Sequence, residues 1–238
     1  MPDSILIADR YYRSSPNDWA AFTAAAGFNG AILKATDGVS LPDCEQWFVQ
    51  SWEQVRGAAG DRYGRDFFRG AYHYLEFFDD GAAQAEHYLD VVEQAGGWQP
   101  GDLWPIVDVE RGRTTSRNFA ADGARVEDCV DAFAATIRQQ LGPTTPLVLY
   151  AGGVFRDLGI NLAGTCSYLW AARYGHQVGS FEAYGWPDEK IVLWQYTDGT
   201  YNYTGQPSSA PGLGASDLSV YRPGDLATLR RTLIRAGE

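Results

Sequence analysis

Four times in succession, the first part of this chain repeats one unit: a short apolar run, then a stretch with helical spacing. The runs are Ile5–Asp9, Gly30–Thr36, Arg69–Tyr74 and Leu103–Glu110. After the first, Ser15-Pro16-Asn17-Asp18 reads as a helix start, with Ser15 as cap and Pro16 in the first turn. Trp19, Phe22, Thr23 and Ala26 then recur at helical spacing until Gly27. Helices are likewise predicted over 43–56 (Cys44, Phe48, Trp52, Val55), 81–95 (Ala85, Tyr88, Leu89, Val92) and 124–141 (Val126, Val130, Phe133, Ile137, Leu141). Strand–helix alternation predicts a parallel sheet with right-handed crossovers.

Four further strands are predicted at Pro146–Tyr150, Tyr168–Tyr174, Ile191–Tyr196 and Ala215–Tyr221, and a last helix over 224–236. Eight strands suggest closure into a barrel. Residues 175–190 and 199–214 are rich in Gly, Pro and Ser and carry no helical period. The expected fold class is therefore α/β: an irregular eight-stranded (β/α) TIM-like barrel with some outer helices missing, in a single domain over 1–238. A chain of 238 residues with 45% hydrophobic content suits that size.

Charge and composition exclude several classes. A net charge of −11 would repel a phosphate backbone, so no nucleic acid partner is expected. No apolar run approaches the ~18–20 residues of a membrane span, and the N-terminus shows no signal-like segment. Cys44, Cys129 and Cys166 are too dispersed for a disulfide framework or a zinc spacing, and Cys129 falls on an apolar helical stripe. His73, His87 and His176 are also scattered, so neither metal nor cofactor is expected. There is no Gly-x-Ser-x-Gly, phosphate loop or His-Glu-x-x-His motif. Asn202-Tyr203-Thr204 is a glycosylation sequon, relevant only in a eukaryotic secretory route.

The candidate chemistry lies at the strand ends. Side chains at i and i+2 of a strand share a face, so Ile106, Asp108 and Glu110 line up, the two acids about 6.5–7 Å apart at Cα. Two acids this close repel, and one holds its proton to higher pH. A protonated acid beside an ionised one is what glycosidic cleavage requires. A lone Asp-x-Glu is more often a solvated strand end. Here, however, Asp9, Asp37, Glu76 and Asp198 also fall at or just past strand ends, and Asp217 falls near the middle of strand eight. In barrels of this kind sites form at the C-terminal strand ends, and crowded like charges require a substrate, a metal or cations such as Lys34 and Arg173 to offset them. Lys34, within a buried strand, demands an acid partner.

The chain at this point resembles the family 25 glycoside hydrolases, lysozymes of N-acetylmuramidase type. Asp9 after the first strand, Gly30-Ala31-Ile32-Leu33-Lys34-Ala35-Thr36-Asp37-Gly38, and Gly70-Ala71-Tyr72-His73-Tyr74 are similar to its first three strand motifs. Pro105-Ile106-Val107-Asp108-Val109-Glu110 resembles its catalytic strand. Leu169-Trp170-Ala171-Ala172-Arg173-Tyr174, Trp194-Gln195-Tyr196 and Asp217-Leu218-Ser219-Val220-Tyr221 are similar to the motifs that follow. The resemblance covers most of the chain. It departs at Asp37, where Glu is more usual, at Ser219, where Asn is common, and at Arg10-Tyr11-Tyr12, where Val-Ser and a nearby Gln are usual.

The resemblance implies hydrolysis of the β-1,4 bond after N-acetylmuramic acid in peptidoglycan. Glu110 would be the general acid. Asp108 would stabilise charge on the reacting sugar or orient its N-acetyl group, and Asp9 and Asp217 would complete an acidic mouth. Lys34 is expected as a charge partner, Tyr72, Trp170, Trp194 and Tyr196 as substrate-binding residues that stack on sugar rings, with barrel packing as the alternative for each, and His73 as a hydrogen-bonded support rather than a metal ligand. The carboxyl spacing leaves retaining, inverting and substrate-assisted routes open. The expected setting is the bacterial cell wall, reached by release or delivery as in a phage endolysin, with the chain a monomer. Two other readings compete: a non-catalytic wall-glycan-binding barrel of a phage particle or adhesin, and a metal-dependent barrel enzyme that EDTA would inactivate.

Overall fold

A computed structural model of the chain describes residues 4–111, 122–152, 158–174, 185–200 and 206–235. Eight strands close a barrel in the order β1-β10-β7-β6-β5-β4-β3-β2. They are β1 (Leu6–Arg10), β2 (Phe28–Asp37), β3 (Phe68–Tyr74), β4 (Ile106–Asp108), β5 (Val148–Ala151), β6 (Tyr168–Ala172), β7 (Ile191–Asp198) and β10 (Asp217–Tyr221). A separate hairpin of β8 (Ser209–Ala210) and β9 (Gly214–Ala215) lies in the Gly- and Pro-rich stretch before β10.

Helices follow the first four strands, as the periodicity predicts: α1 (Trp19–Ala24), α2 (Pro42–Ala59), α3 (Gly81–Gln94) and α4 (Gly123–Leu141). A final helix, α5 (Leu226–Leu233), follows β10. The cap of α1 is Asp18, not Ser15: its carboxylate accepts from the Ala21 amide, because Asp18 stands immediately before the first helical residue. The sequon Asn202-Tyr203-Thr204 and most of the loops 111–122 and 175–190 lie outside the described residues.

The alternation of side chains across each strand produces two apolar layers. Ile7, Ile32, Phe68, Tyr72, Ile106, Tyr150, Trp170 and Leu193 fill the barrel, with Leu229 and Leu233 of α5 packed against them. Ala8, Leu33, Ala71, Val107, Leu149 and Ala171 face outward and pack with Phe22, Phe48, Trp52, Tyr88 and Phe133. Cys44, Cys129 and Cys166 are all buried thiols outside any disulfide. Among the described residues no helix is long and apolar enough to cross a membrane.

The sheet corrects one expectation. Strands β1 to β7 run parallel, but β10 is antiparallel to both neighbours, β1 and β7. Its first residue, Asp217, therefore lies beside the C-terminal ends of the parallel strands, opposite Asp9 on one side and Asp198 on the other. The sequence reading placed Asp217 in mid-strand because it started the strand at Ala215. Ala215 belongs instead to the β8–β9 hairpin.

Candidate active site

A cleft opens at the C-terminal ends of the parallel strands, lined by Asp9, Lys34, Tyr72, Tyr74, Asp108, Glu110, Tyr150, Tyr174, Gln195 and Asp217. Each strand delivers its residue by the same logic: inward parity and a place near the strand's upper end. Asp9 precedes the last residue of β1, Asp108 ends β4, and Glu110 follows two residues later. Val107 and Val109 take the outward positions on either side of Asp108 and anchor the segment in the outer apolar layer. The backbone continues the pairing beyond the strand, with the Val109 amide donating to the Tyr150 carbonyl.

Burial and like charge act together on the acids. Asp108 is held well above the ordinary carboxylate range by burial and by Glu110. Burial raises Glu110 as well, opposed by Lys34. Asp9 is also held well above the usual range, first by burial and then by Asp217. Asp217 is pushed up to about 6 by burial and by Asp198. Interacting acids of this kind titrate as a group, so the cleft retains protons into the range where isolated carboxyls are fully ionised. One oxygen each of Asp9 and Asp108, in both cases Oδ1, is buried without a hydrogen-bond partner among the described residues.

Lys34 supplies the compensating charge. Its ammonium donates to Asp37 Oδ2 at 2.7 Å and lies 4.1 Å from the centre of the Tyr74 ring. The partner that its buried position demands is thus the residue three places on, at the end of the same strand. Arg10 turns away from the cleft: its guanidinium donates to Asn17 Oδ1, the Pro16 carbonyl and Ser216 Oγ, tying the segment after β1 to the start of β10. The same charge lowers the proton affinity of both Asp9 and Asp217.

His73 supports the site from the outer layer. Its Nδ1 pairs with Thr36 Oγ1 at 2.8 Å, its Nε2 with Gln84 Oε1 at 3.0 Å, and its ring stacks on Phe133. Burial lowers its pKa to about 3, so the ring is neutral. Among the described residues, no three His, Cys, Asp or Glu side chains are grouped so as to hold a metal ion.

Of the sequence-predicted residues, the cleft brings together Asp9, Lys34, Tyr72, Asp108, Glu110 and Asp217. Trp170, Trp194 and Tyr196 are not among its lining residues. Trp170 packs inside the barrel, edge-on to Tyr150, with its indole N–H on Ser219 Oγ. Trp194 and Tyr196 belong to the outer layer, their polar ends donating to the carbonyls of Arg173 and Pro207.

A bulge accounts for the last two. Ile191 pairs with Leu169 and Leu193 with Trp170, so Val192 is an extra residue opposite β6. Both Val192 and Leu193 join the barrel interior, and from there the parity is reversed. Gln195 therefore points inward between two outward aromatics. The sequence reading missed Gln195, and missed Tyr74, Tyr150 and Tyr174 as cleft residues. The signal for the three tyrosines was present, since each lies at or beyond the C-terminal end of an apolar run.

The fold and site together are a closed, mostly parallel barrel that carries two carboxylates, Asp108 and Glu110, at its C-terminal mouth, the end where sites form in such barrels. The model of glycosyl hydrolases family 25 matches residues 9–204, and the chain belongs to that family; it is a glycoside hydrolase. Solved structures share its fold. The bacterial lysozyme from Streptomyces coelicolor is 19% identical with a TM-score of 0.73, the match covering 98% of each chain. The muramidase from Acremonium alcalophilum is 23% identical with a TM-score of 0.70, covering 96% of this chain and 98% of that one. The family lysozyme from Aspergillus fumigatus is 17% identical with a TM-score of 0.73, covering 98% of this chain and 100% of that one. No curated protein sequence matches the chain.

Proposed function

We propose that this protein is a muramidase that hydrolyses the β-1,4 bond between N-acetylmuramic acid and N-acetylglucosamine in peptidoglycan. The observation that carries the reading is the pair Asp108 and Glu110, two carboxyls at the end of one strand, shifted upward by burial and opening into one cleft. The names of the fold relatives, lysozyme and muramidase, support the choice of substrate.

In this reading Glu110 is the general acid. It is partly exposed, so it reaches the leaving oxygen, and its raised proton affinity keeps it loaded. Protonation of that oxygen accompanies cleavage of its bond to the anomeric carbon. One water then adds to the anomeric carbon and gives up a proton to a cleft carboxylate. Asp108, whose Oδ1 has no hydrogen-bond partner among the described residues, accepts a hydrogen bond from the acetamido N–H of the reacting sugar. Lys34 limits the net negative charge, and the rings of Tyr72 and Tyr74 form an amphipathic wall for the sugar.

The test is digestion of purified peptidoglycan by the wild type and by Glu110→Gln, with soluble fragments identified by mass spectrometry. Fragments ending in reducing muramic acid, absent with the variant, support the reading. If neither protein releases fragments while both sediment with the wall, the barrel binds glycan without cutting it.

A further inference from the structure

Gln195 is 1% exposed, and its side chain makes three polar contacts among the described residues, all within the cleft. Its Oε1 accepts from Tyr150 Oη at 2.7 Å and from Tyr174 Oη at 2.8 Å. Its Nε2 donates to Asp9 Oδ2 at 3.3 Å. The two hydroxyl donors occupy both lone pairs of the amide oxygen, which leaves the amide nitrogen to face Asp9. Flipping the amide would set Oε1 against a carboxylate oxygen. Burial raises both phenols, so they remain donors throughout the range in which the acids titrate.

The backbone is built around this residue. Strand β7 carries the extra residue Val192 opposite β6, and it shifts register a second time opposite β10, where Gln195 pairs with Ser219 and Thr197 with Leu218. Gln195 thus sits between two bulges on one strand, and bulges beside a site re-aim side chains. The Asp9 oxygen that Gln195 does not touch is the one buried without a hydrogen-bond partner among the described residues.

We propose that Gln195, anchored by the hydroxyls of Tyr150 and Tyr174, is a positioning residue for Asp9. It engages Oδ2 and thereby presents Oδ1 as the acceptor for a hydroxyl or amide N–H of the glycan. The proposal rests on the glycan-hydrolase reading of the site. It adds to that reading a chain of three neutral polar side chains from β5, from the end of β6 and from β7, acting on an acid of β1. Asp217, Lys34, Glu110, Arg10 and Asp108 also act on Asp9 through their charge.

The test combines hydrolysis kinetics with carbon-detected NMR titration of the Asp9 carboxyl in wild type, Gln195→Met, Tyr174→Phe and the double variant. Gln195→Met should lower kcat on the order of 100-fold, the scale of a misplaced reacting group. It should also shift the Asp9 titration upward, because a donor to the ionised form is lost. Tyr174→Phe should act in the same direction by a smaller factor, and adding it to Gln195→Met should change neither quantity further. An Asp9 titration unchanged in Gln195→Met, with kcat within twofold, overturns the proposal. If Gln195→Met does not fold, Tyr174→Phe alone decides by the same two readouts. If the wild type releases no fragments, the hydrolase reading fails, and the Asp9 titration still reports whether Gln195 positions the acid.

Discussion

Asp9 and Asp217, near opposite ends of the chain, face each other directly across the antiparallel pair of β1 and β10. Like charges directly opposite in a sheet are destabilising. The pair is extended by Asp198, opposite Asp217 on the other side. A row of three acids across three strands costs stability whenever it is fully ionised, and that cost is itself measurable.

Asp217→Asn should stabilise the protein at neutral pH. The folded carboxyl titrates near 6, above the ordinary value of about 3.9 for the unfolded chain. Between those values the unfolded state loses its proton first, so wild-type stability falls as pH rises from about 4 to 6. The variant lacks this loss. It should be more stable by about 1–3 kcal/mol at pH 7–8, a gain that disappears near pH 4. Thermal unfolding at the two pH values reads the difference.

Glu110→Gln should reduce hydrolysis by at least about 100-fold and, by the same linkage as at Asp217, should leave the fold no less stable at neutral pH. The wild-type pH–rate profile should have an alkaline limb above the usual carboxylate range, because Glu110 must be protonated and burial raises it. A limb at the ordinary glutamate position would contradict the acid role.

Lys34→Met should move that alkaline limb to higher pH. The Lys34 ammonium lowers the proton affinity of Asp9, Asp108 and Glu110, and removing it lets all three rise. The variant also deprives Asp37 of its ammonium in a nearly buried pair. The expected cost is about 3–5 kcal/mol, of which Asp37→Asn should restore a large part. A double-mutant cycle read by denaturant unfolding measures both.

Arg69→Met should be among the most destabilising single changes in the chain. Its guanidinium is fully buried, bonds both oxygens of Asp102 and the Trp52 carbonyl, and lies 3.8 Å from the Trp52 ring centre. Leaving Asp102 buried without its cationic partner, with only the Tyr63 hydroxyl and the Gln99 amide on its oxygens, should cost about 3–5 kcal/mol. The exposed pair Arg56–Glu53 provides the contrast, and Arg56→Ala should cost under about 1 kcal/mol. Equal losses in the two variants would refute the argument from burial.

Part of this architecture is written locally. Apolar runs mark eight strands, seven of which run parallel, and helical stripes mark the helices after the first four. The i, i+2 rule brings Asp108 and Glu110 to one mouth, because that rule needs no knowledge of neighbouring strands. The cost of a buried ammonium likewise predicts an acid near Lys34, and Asp37 stands there. Trp194 and Tyr196 mark where local counting stops. Parity counted from Val192 sends them inward, and one extra residue opposite β6 sends them outward and brings Gln195 in. A bulge is set by pairing with the adjacent strand, which a single strand's own pattern does not contain.

The sequence by itself determined the class of fold, the strand that carries Asp108 and Glu110 and the acidic character of its end, since side-chain period and the cost of burying charge act over a few residues. Tertiary structure alone decided that β10 runs antiparallel, that Asp217 therefore meets Asp9, and that Tyr150, Tyr174 and Gln195 join beside them. Those relations depend on strand direction and register between segments far apart in the chain. They are set when the barrel closes and every strand must find two neighbours at once.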